Sequence, residues 1–185
     1  MKLVILDRDG VINHDSPHHI KRVDEWKPID GSLKAIASLG HAGFRVVVAT
    51  NQSGVGRNLF DVDTLNAIHT KMHKAVAEAG GRIDALIYCP HTDNEHCDCR
   101  KPKPGMFLQI AERFNANLKD VPAIGDSLRD LQAASSAGCQ PIMVRSGKGE
   151  TTRKLDNLPK GTLEFANLAE AAHYILSAEK EESNA

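Results

Sequence analysis

Lys2-Leu3-Val4-Ile5-Leu6-Asp7-Arg8-Asp9-Gly10-Val11 is the stretch on which the fold turns. Leu3 to Leu6 are four consecutive apolar residues with no polar face. That is the mark of a short strand buried on both sides, as in a parallel sheet. Two carboxylates and a glycine follow at once. In an open sheet of this kind, ligands sit beyond the carboxyl ends of the strands. The question for the rest of the chain is what stands at the other strand ends.

Apolar runs at 45–50, 85–89, 121–125 (the weakest) and 141–144 read as four more strands, and 163–165 as a short sixth. Helical spacing fills the gaps. The first helix covers 32–39, with Gly40 as its stop. Val62, Leu65, Ile68, Met72, Ala75 and Ala79 follow at steps of three and four, opened by Asp61 as N-cap and closed by Gly80-Gly81. Leu108, Ala111 and Phe114 mark a helix after Pro104-Gly105, 131–137 one that stops at Gly138, and 168–178 a last one. The charged residues 179–185 read as a frayed tail. Strand and helix in alternation mean right-handed βαβ units, hence an α/β fold: a Rossmann-like parallel sheet with helices on both faces. The 185 residues fit a single domain, 1–185.

Composition narrows the function. Hydrophobic residues make up 41 %, enough for a core, and 23 Lys+Arg against 24 Asp+Glu leave a net charge of −1. That balance disfavours a protein that blankets nucleic acid with basic surface. No apolar run exceeds 85–89, so nothing is expected to span a membrane. Only Met1 and Lys2 precede the first strand, leaving no room for a leader, so a cytoplasmic, monomeric protein with reduced thiols is expected.

The strand ends carry Asp7-Arg8-Asp9-Gly10, then Thr50-Asn51, then Cys97 to Pro104 after the third strand, then Gly125-Asp126-Ser127-Leu128-Arg129-Asp130. Asp7 and Asp126 suit a hard divalent cation such as Mg2+, which takes oxygen ligands and relieves the repulsion between two facing carboxylates. Asp7 is also a nucleophile toward phosphorus, and Asp9, two residues on, an acid/base. Thr50, Asn51 and Lys101 suit the transferring phosphoryl group, because that reaction is mostly positioning and charge stabilisation. Each piece alone has a plain reading. Asp-x-Asp is usually a solvated turn, Thr50-Asn51 a cap, Arg100 and Lys101 surface charges, and Asp126 a helix N-cap. Asp130 reads equally as a cap-region acid or as a partner behind the metal ligands. Their convergence on four strand ends outweighs these readings.

Asp7-x-Asp9-Gly10, Thr50-Asn51, Lys101-Pro102-x-Pro104 and Gly125-Asp126-x-x-x-Asp130 together resemble the haloacid dehalogenase superfamily of aspartyl-nucleophile phosphatases. Asp7 to Asn13, Thr50 to Gly54, Cys89-Pro90-His91 and Cys97 to Met106 are similar, more narrowly, to the heptose-1,7-bisphosphate 7-phosphatases. The resemblance implies Asp7 as nucleophile and Asp9 as acid/base. It implies Mg2+ on the carboxylates of Asp7 and Asp126 and the backbone carbonyl of Asp9. Thr50 and Lys101 would steady the phosphoryl group, and Arg100 would recognise substrate. Asp15, Ser16, Pro17 and His18 would lie over the sugar, with Asn51, Gln52, Ser53 and Arg57 on the facing loop. The implied reaction removes the 7-phosphate of a small sugar bisphosphate in lipopolysaccharide precursor synthesis. One departure is Ser127, where those enzymes often carry Lys, which puts substrate contact by this side chain in doubt.

Cys89-x-His91 and Cys97-x-Cys99 offer three thiols and an imidazole in an ordinary structural Zn2+ set, with His96 as a rival imidazole. Zinc would shape the loop 89–99 and place Arg100 and Lys101. Cys139 reads as a small core residue, His69 and His73 as a half-exposed helix face, and Lys103 as solvent-facing. Asp9 to Thr50 leaves 40 residues and Asn51 to Lys101 leaves 49, too few for a folded cap, so loops alone would shield the site. Rival readings are a histidinol-phosphate phosphatase, which shares the motifs and the zinc loop, and a nucleic-acid 3′-phosphatase, which the charge balance disfavours. A phosphorylatable receiver module is the third, and an acid/base at Asp9 argues against it.

Overall fold

The structure is a computed structural model that describes residues 1–183. The strands are β1 (Lys2–Leu6), β2 (Phe44–Asn51), β3 (Ala85–Cys89), β4 (Pro122–Gly125), β5 (Gln140–Val144) and β6 (Leu163–Phe165). The helices are α1 (Ser32–His41), α2 (Ser53–Gly56), α3 (Val62–Glu78), α4 (Gly105–Phe114), α5 (Leu128–Ser136), α6 (Gly149–Thr152) and α7 (Leu168–Ser183). All six strands pair in parallel in the order β3-β2-β1-β4-β5-β6. The chain therefore winds one way from β1 and the other way from β4. The crevice opens where the two directions part. There Leu6 pairs with Ile124, and the Asp7 N–H donates to the Ile124 carbonyl at 2.9 Å.

The apolar run of β1 divides by the two-residue period of a strand. Val4 and Leu6 join Val46, Val48, Ile36, Ile68, Met72 and Ala171 in a core under α1, α3 and α7. Leu3 and Ile5 join Val47, Ala49, Met106, Ile110 and Ala133 in a second core under α4 and α5. Cutting a buried Ile such as Ile5 back to Ala in such a core costs about 2–5 kcal/mol. The two cores fix β1, and with it the position of Asp7.

The expected strands are all present, and Asp61 caps α3 by accepting from the Thr64 N–H. Three helices differ in a boundary by more than one residue. α1 runs through Gly40 to His41, with the positive φ falling at Gly43. α5 starts at Leu128, and Ser127 is its N-cap in a reciprocal capping box with Asp130, so Asp126 is not the cap. α7 continues to Ser183, so the frayed tail expected from 179 is helical through 183, and Lys2 pairs with Glu179; residues 184–185 lie outside the described residues. α2 and α6 are single turns, too short to show a period. His69, expected on a half-exposed face, is buried. No helix among the described residues is long and apolar enough to cross a membrane.

Candidate active site

The crevice is a cavity of about 210 Å³. Its floor is built from strand ends. Asp7 follows β1, Asp126 follows β4, and Lys101 reaches in from the segment after the thiol loop to contact the end of β2. Lys101 is buried, donates to the Ala49 carbonyl at 2.8 Å, and stands 3.0 Å from Asp7 Oδ1 and 2.6 Å from Asp130 Oδ1. Asn51 clasps the Lys101 backbone from both sides, donating to its carbonyl and accepting from its N–H at 3.1 Å each. Burial by itself would discharge this lysine. The charges of Asp130 and Asp7 outweigh it, so its pKa is raised.

Three carboxylates crowd this floor, and two of them, Asp7 and Asp130, pair with Lys101. Burial pushes Asp7 up to about 6, opposed by Lys101 and helped by Asp130 and Asp9. Burial, then Asp130 and Asp7, push Asp126 up to about 8. Asp130 goes the other way. Burial opposes its charge, but Lys101 and the Ser127 donors hold it below the usual range. Both Asp130 oxygens are taken, one beside Lys101 and one by the Ser127 N–H at 3.0 Å and hydroxyl at 2.5 Å. Asp7 Oδ1 is buried without an aligned hydrogen-bond donor. Oxygens of Asp7, Asp126 and Asp130 lie within 4.8 Å of one another. Two facing carboxylates whose charges are disfavoured fit a hard divalent cation on Asp7 and Asp126, with Asp130 behind them.

Asp126 is held in place from outside its own strand. Its Oδ2 accepts from the Lys148 N–H at 2.7 Å, its carbonyl from the Thr152 hydroxyl at 2.8 Å. Ser146 Oγ donates to the Gly10 carbonyl at 2.7 Å. Gly10 and Gly147 both have positive φ, and a Cβ on either would overlap the Asp126 carboxylate. Glycine at both places lets the two backbones close on that side chain.

Asp9 faces another way. The fully buried Arg8 donates to it through Nε and NH2, Asn13 Nδ2 at 2.9 Å, and Gln52 Nε2 at 2.9 Å. Burial opposes its charge, but Arg8 and the Asn13 and Gln52 donors keep it below the carboxylate range. The far side of Arg8, NH1, is 3.1 Å from His69 Nε2. Burial, then the charge of Arg8, push His69 down to about 3, so the ring is neutral and accepts. Thr50 lies buried behind the cavity, its Oγ1 accepting from Gln52 at 3.0 Å.

Asp15, Ser16, Pro17, Asn51, Gln52, Ser53 and Arg100 all line the cavity. His18 does not; its neighbour His19, at φ +62°, does. Arg57 also stands apart, 3.6 Å from Asp93. Arg100 is paired to Asp93 at 2.6 Å. The sequence reading did not single out Arg129 or Lys148, which also line the wall.

The thiol loop closes on itself. Sulfurs of Cys89, Cys97 and Cys99 are 3.3–3.6 Å apart, and His91 Nδ1 is 3.5 Å from Cys89 and 3.3 Å from Cys99. Disulfide sulfurs stand ~2.05 Å apart, so these are free thiols. Around a tetrahedral ion with ~2.3 Å Zn–S bonds, neighbouring sulfurs lie about 3.8 Å apart. The cluster is near that size and fits zinc. His96, at φ +47°, is not part of it. Cys139 is buried in the core, and Lys103 is half exposed.

A family model described as polynucleotide kinase 3 phosphatase matches residues 2–134, and one described as HAD-hydrolase-like matches 98–171. The chain is 54 % identical to the D-glycero-beta-D-manno-heptose-1,7-bisphosphate 7-phosphatase of Bordetella bronchiseptica, over 95 % of this chain and 98 % of that one. It is 51 % identical to the protein of that name from Neisseria meningitidis, over 95 % of each. The crystal structure of the D,D-heptose 1,7-bisphosphate phosphatase from B. bronchiseptica, complexed with magnesium and phosphate, superposes with a TM-score of 0.95 over 96 % of this chain and 99 % of that one. The corresponding Burkholderia thailandensis structure, 49 % identical, gives 0.77 over the same shares.

Proposed function

The chain belongs to the heptose-1,7-bisphosphate 7-phosphatase family of HAD-like phosphatases, and we propose that it removes the 7-phosphate of D-glycero-beta-D-manno-heptose 1,7-bisphosphate through an aspartyl-phosphate on Asp7. The observation that carries this reading is the Asp7 carboxylate at the sheet's crevice, facing Asp126 and held 3.0 Å from a charged, buried Lys101. A carboxylate positioned at a phosphoryl site beside a fixed cation is a nucleophile toward phosphorus.

Asp7 and Asp126 would hold Mg2+, with the Asp9 carbonyl completing the protein ligands. When bound, the ion neutralises charge on the transferring group and on its two carboxylates. Lys101 stays charged throughout because Asp130 holds it there, and it meets the phosphoryl oxygens from the protein side. The Thr50 hydroxyl accepts from Gln52, which leaves its single hydrogen for a phosphoryl oxygen. Asp9 begins as a carboxylate saturated by donors. A phosphate dianion beside it raises its pKa, so it can carry a proton to the leaving oxygen. It then takes one from the water that opens the aspartyl-phosphate.

All six strands lie in one sheet with the cavity at its crevice, and we read the protein as a single domain acting as a monomer. Free thiols, one zinc on Cys89, His91, Cys97 and Cys99, and a water-soluble sugar phosphate substrate support a cytoplasmic reading, with the product supplying lipopolysaccharide precursors. The test is phosphate release from heptose 1,7-bisphosphate beside histidinol phosphate. One equivalent from the first, leaving heptose 1-phosphate, is expected. Faster release from histidinol phosphate, or release of the 1-phosphate first, overturns the reading.

A further inference from the structure

The wall of the cavity carries three cations besides Lys101: Arg100, Arg129 and Lys148. Two of them are already committed. Arg100 Nε is 2.6 Å from Asp93 Oδ1 and its NH1 donates to the His91 carbonyl at 3.3 Å. Lys148 Nζ is 2.9 Å from Asp15 Oδ2. Among the described residues, no carboxylate stands within ion-pairing distance of Arg129.

Arg129 is also well placed. It sits on the first turn of α5, three residues from Asp126, where the capping box of Ser127 and Asp130 fixes the backbone. Its charge bears on both flanks of the mouth. It helps hold Asp93 low on the Arg100 side, and it works against the charge of Lys148 on the other. It is exposed, so it stays hydrated until a ligand covers it. Ser127 takes no such part, because its hydroxyl is spent on Asp130 at 2.5 Å.

We propose that Arg129 is a specificity-determining residue of this site, receiving the phosphate that is not transferred. The inference rests on the bisphosphate reading above. A substrate with two phosphates puts one beside Asp7 and leaves the other at the mouth. To meet it, Arg100 and Lys148 must share or give up Asp93 and Asp15. Arg129 gives up only water. Its planar fork matches two phosphate oxygens. The net attraction of the mouth for a second phosphate therefore falls mainly to Arg129.

The test is steady-state kinetics of Arg129→Ala and Arg129→Lys on heptose 1,7-bisphosphate and on heptose 7-phosphate, which lacks the outer group. Arg129→Ala is expected to raise KM for the bisphosphate about tenfold, the equivalent of one charge-assisted contact. Its kcat should stay within about twofold, and KM for the monophosphate should not move. Arg129→Lys should recover part of the loss, since it keeps the charge and loses the fork. Equal changes on both substrates, or none on either, overturn the proposal. A parent enzyme that prefers the bisphosphate while Arg129→Ala leaves that preference intact overturns it alone. A parent enzyme with no preference between the two overturns the bisphosphate reading with it.

Discussion

The molecule gathers metal-binding atoms in two places, and it builds them in opposite ways. Asp7 and Asp126 come from strand ends and Asp130 from the first turn of α5, 123 residues beyond Asp7, and two packed cores hold them together. Cys89, His91, Cys97 and Cys99 come from one short loop with few apolar residues to hold it. In the first place the fold forces like charges together, and burial lifts the pKa values of two carboxylates in response. In the second, thiols touch one another, and burial raises Cys89 above the ordinary thiol range. A cation at the carboxylates relieves a strain that the fold already imposes. A cation at the thiols supplies shape that the loop lacks. The first should come and go with the fold standing, and the second should be part of the fold.

The sharpest way to break this contrast is Asp7→Asn. It removes nucleophile and ligand while sparing both cores. Turnover should fall to background, against enzymic accelerations of at least ~10⁶, with the melting temperature within a few degrees of the parent. Activity within about tenfold of the parent would sink the aspartyl-phosphate mechanism. Asp9→Asn should come next, slowing both proton transfers by roughly 10²–10⁴ while Mg2+ binding, followed by calorimetry, persists. On the other side, Cys97→Ser or Cys99→Ser should empty the loop of zinc in a metal assay and lower the melting point. At this size each kcal/mol lost moves it about 2–4 °C. A parent protein purified without zinc, melting like its Cys variants, would erase the contrast.

A pH experiment sharpens it. Asp126 sits near 8 in the folded metal-free protein against 3.8 unfolded. A carboxyl raised on folding stabilises below its unfolded pKa, and that stability is lost as pH rises through the folded value. Mg2+-depleted protein should therefore melt progressively lower from about pH 4 to 8, and added Mg2+ should flatten the slope. An equal slope in Asp126→Asn would show that other groups cause it. The smallest effect is expected at His69. His69→Leu removes the acceptor from buried Arg8 at a cost of about 1–3 kcal/mol and lowers kcat. His69→Gln, which offers a carbonyl oxygen, should recover both. Identical kinetics in the two variants would confine His69 to packing.

What the sequence disclosed follows the same division. Strand ends announce themselves, because a doubly buried strand is an unbroken apolar run and whatever follows it must face the crevice. Asp7, Thr50, Lys101 and Asp126 were legible for that reason, as was the thiol loop from its spacing. Lys148 was not, since it reaches Asp126 through its backbone N–H, which every residue but proline has. His69 was misread because its spacing to His73 suggests an outer face. The missing clue was that Arg8 is buried and so needs acceptors on every side. Ser127 and Asp130 formed a readable Ser-x-x-acid box, but Asp126, also a capping type, read as the cap, and the apolar spacing put the helix start at 131 instead of 128.

The contact of Ser146 with the Gly10 carbonyl spans 136 residues, and it orders events in time. Lys148 and Thr152 join Asp126 from the same late segment. When a growing chain has reached residue 134, all four motifs have been made. Asp126 still has neither of these partners, and the Gly10 carbonyl lacks its donor. Pairing across so long a separation is entropically costly compared with local pairing. The charged floor thus depends on a segment that lies beyond every motif of the reaction.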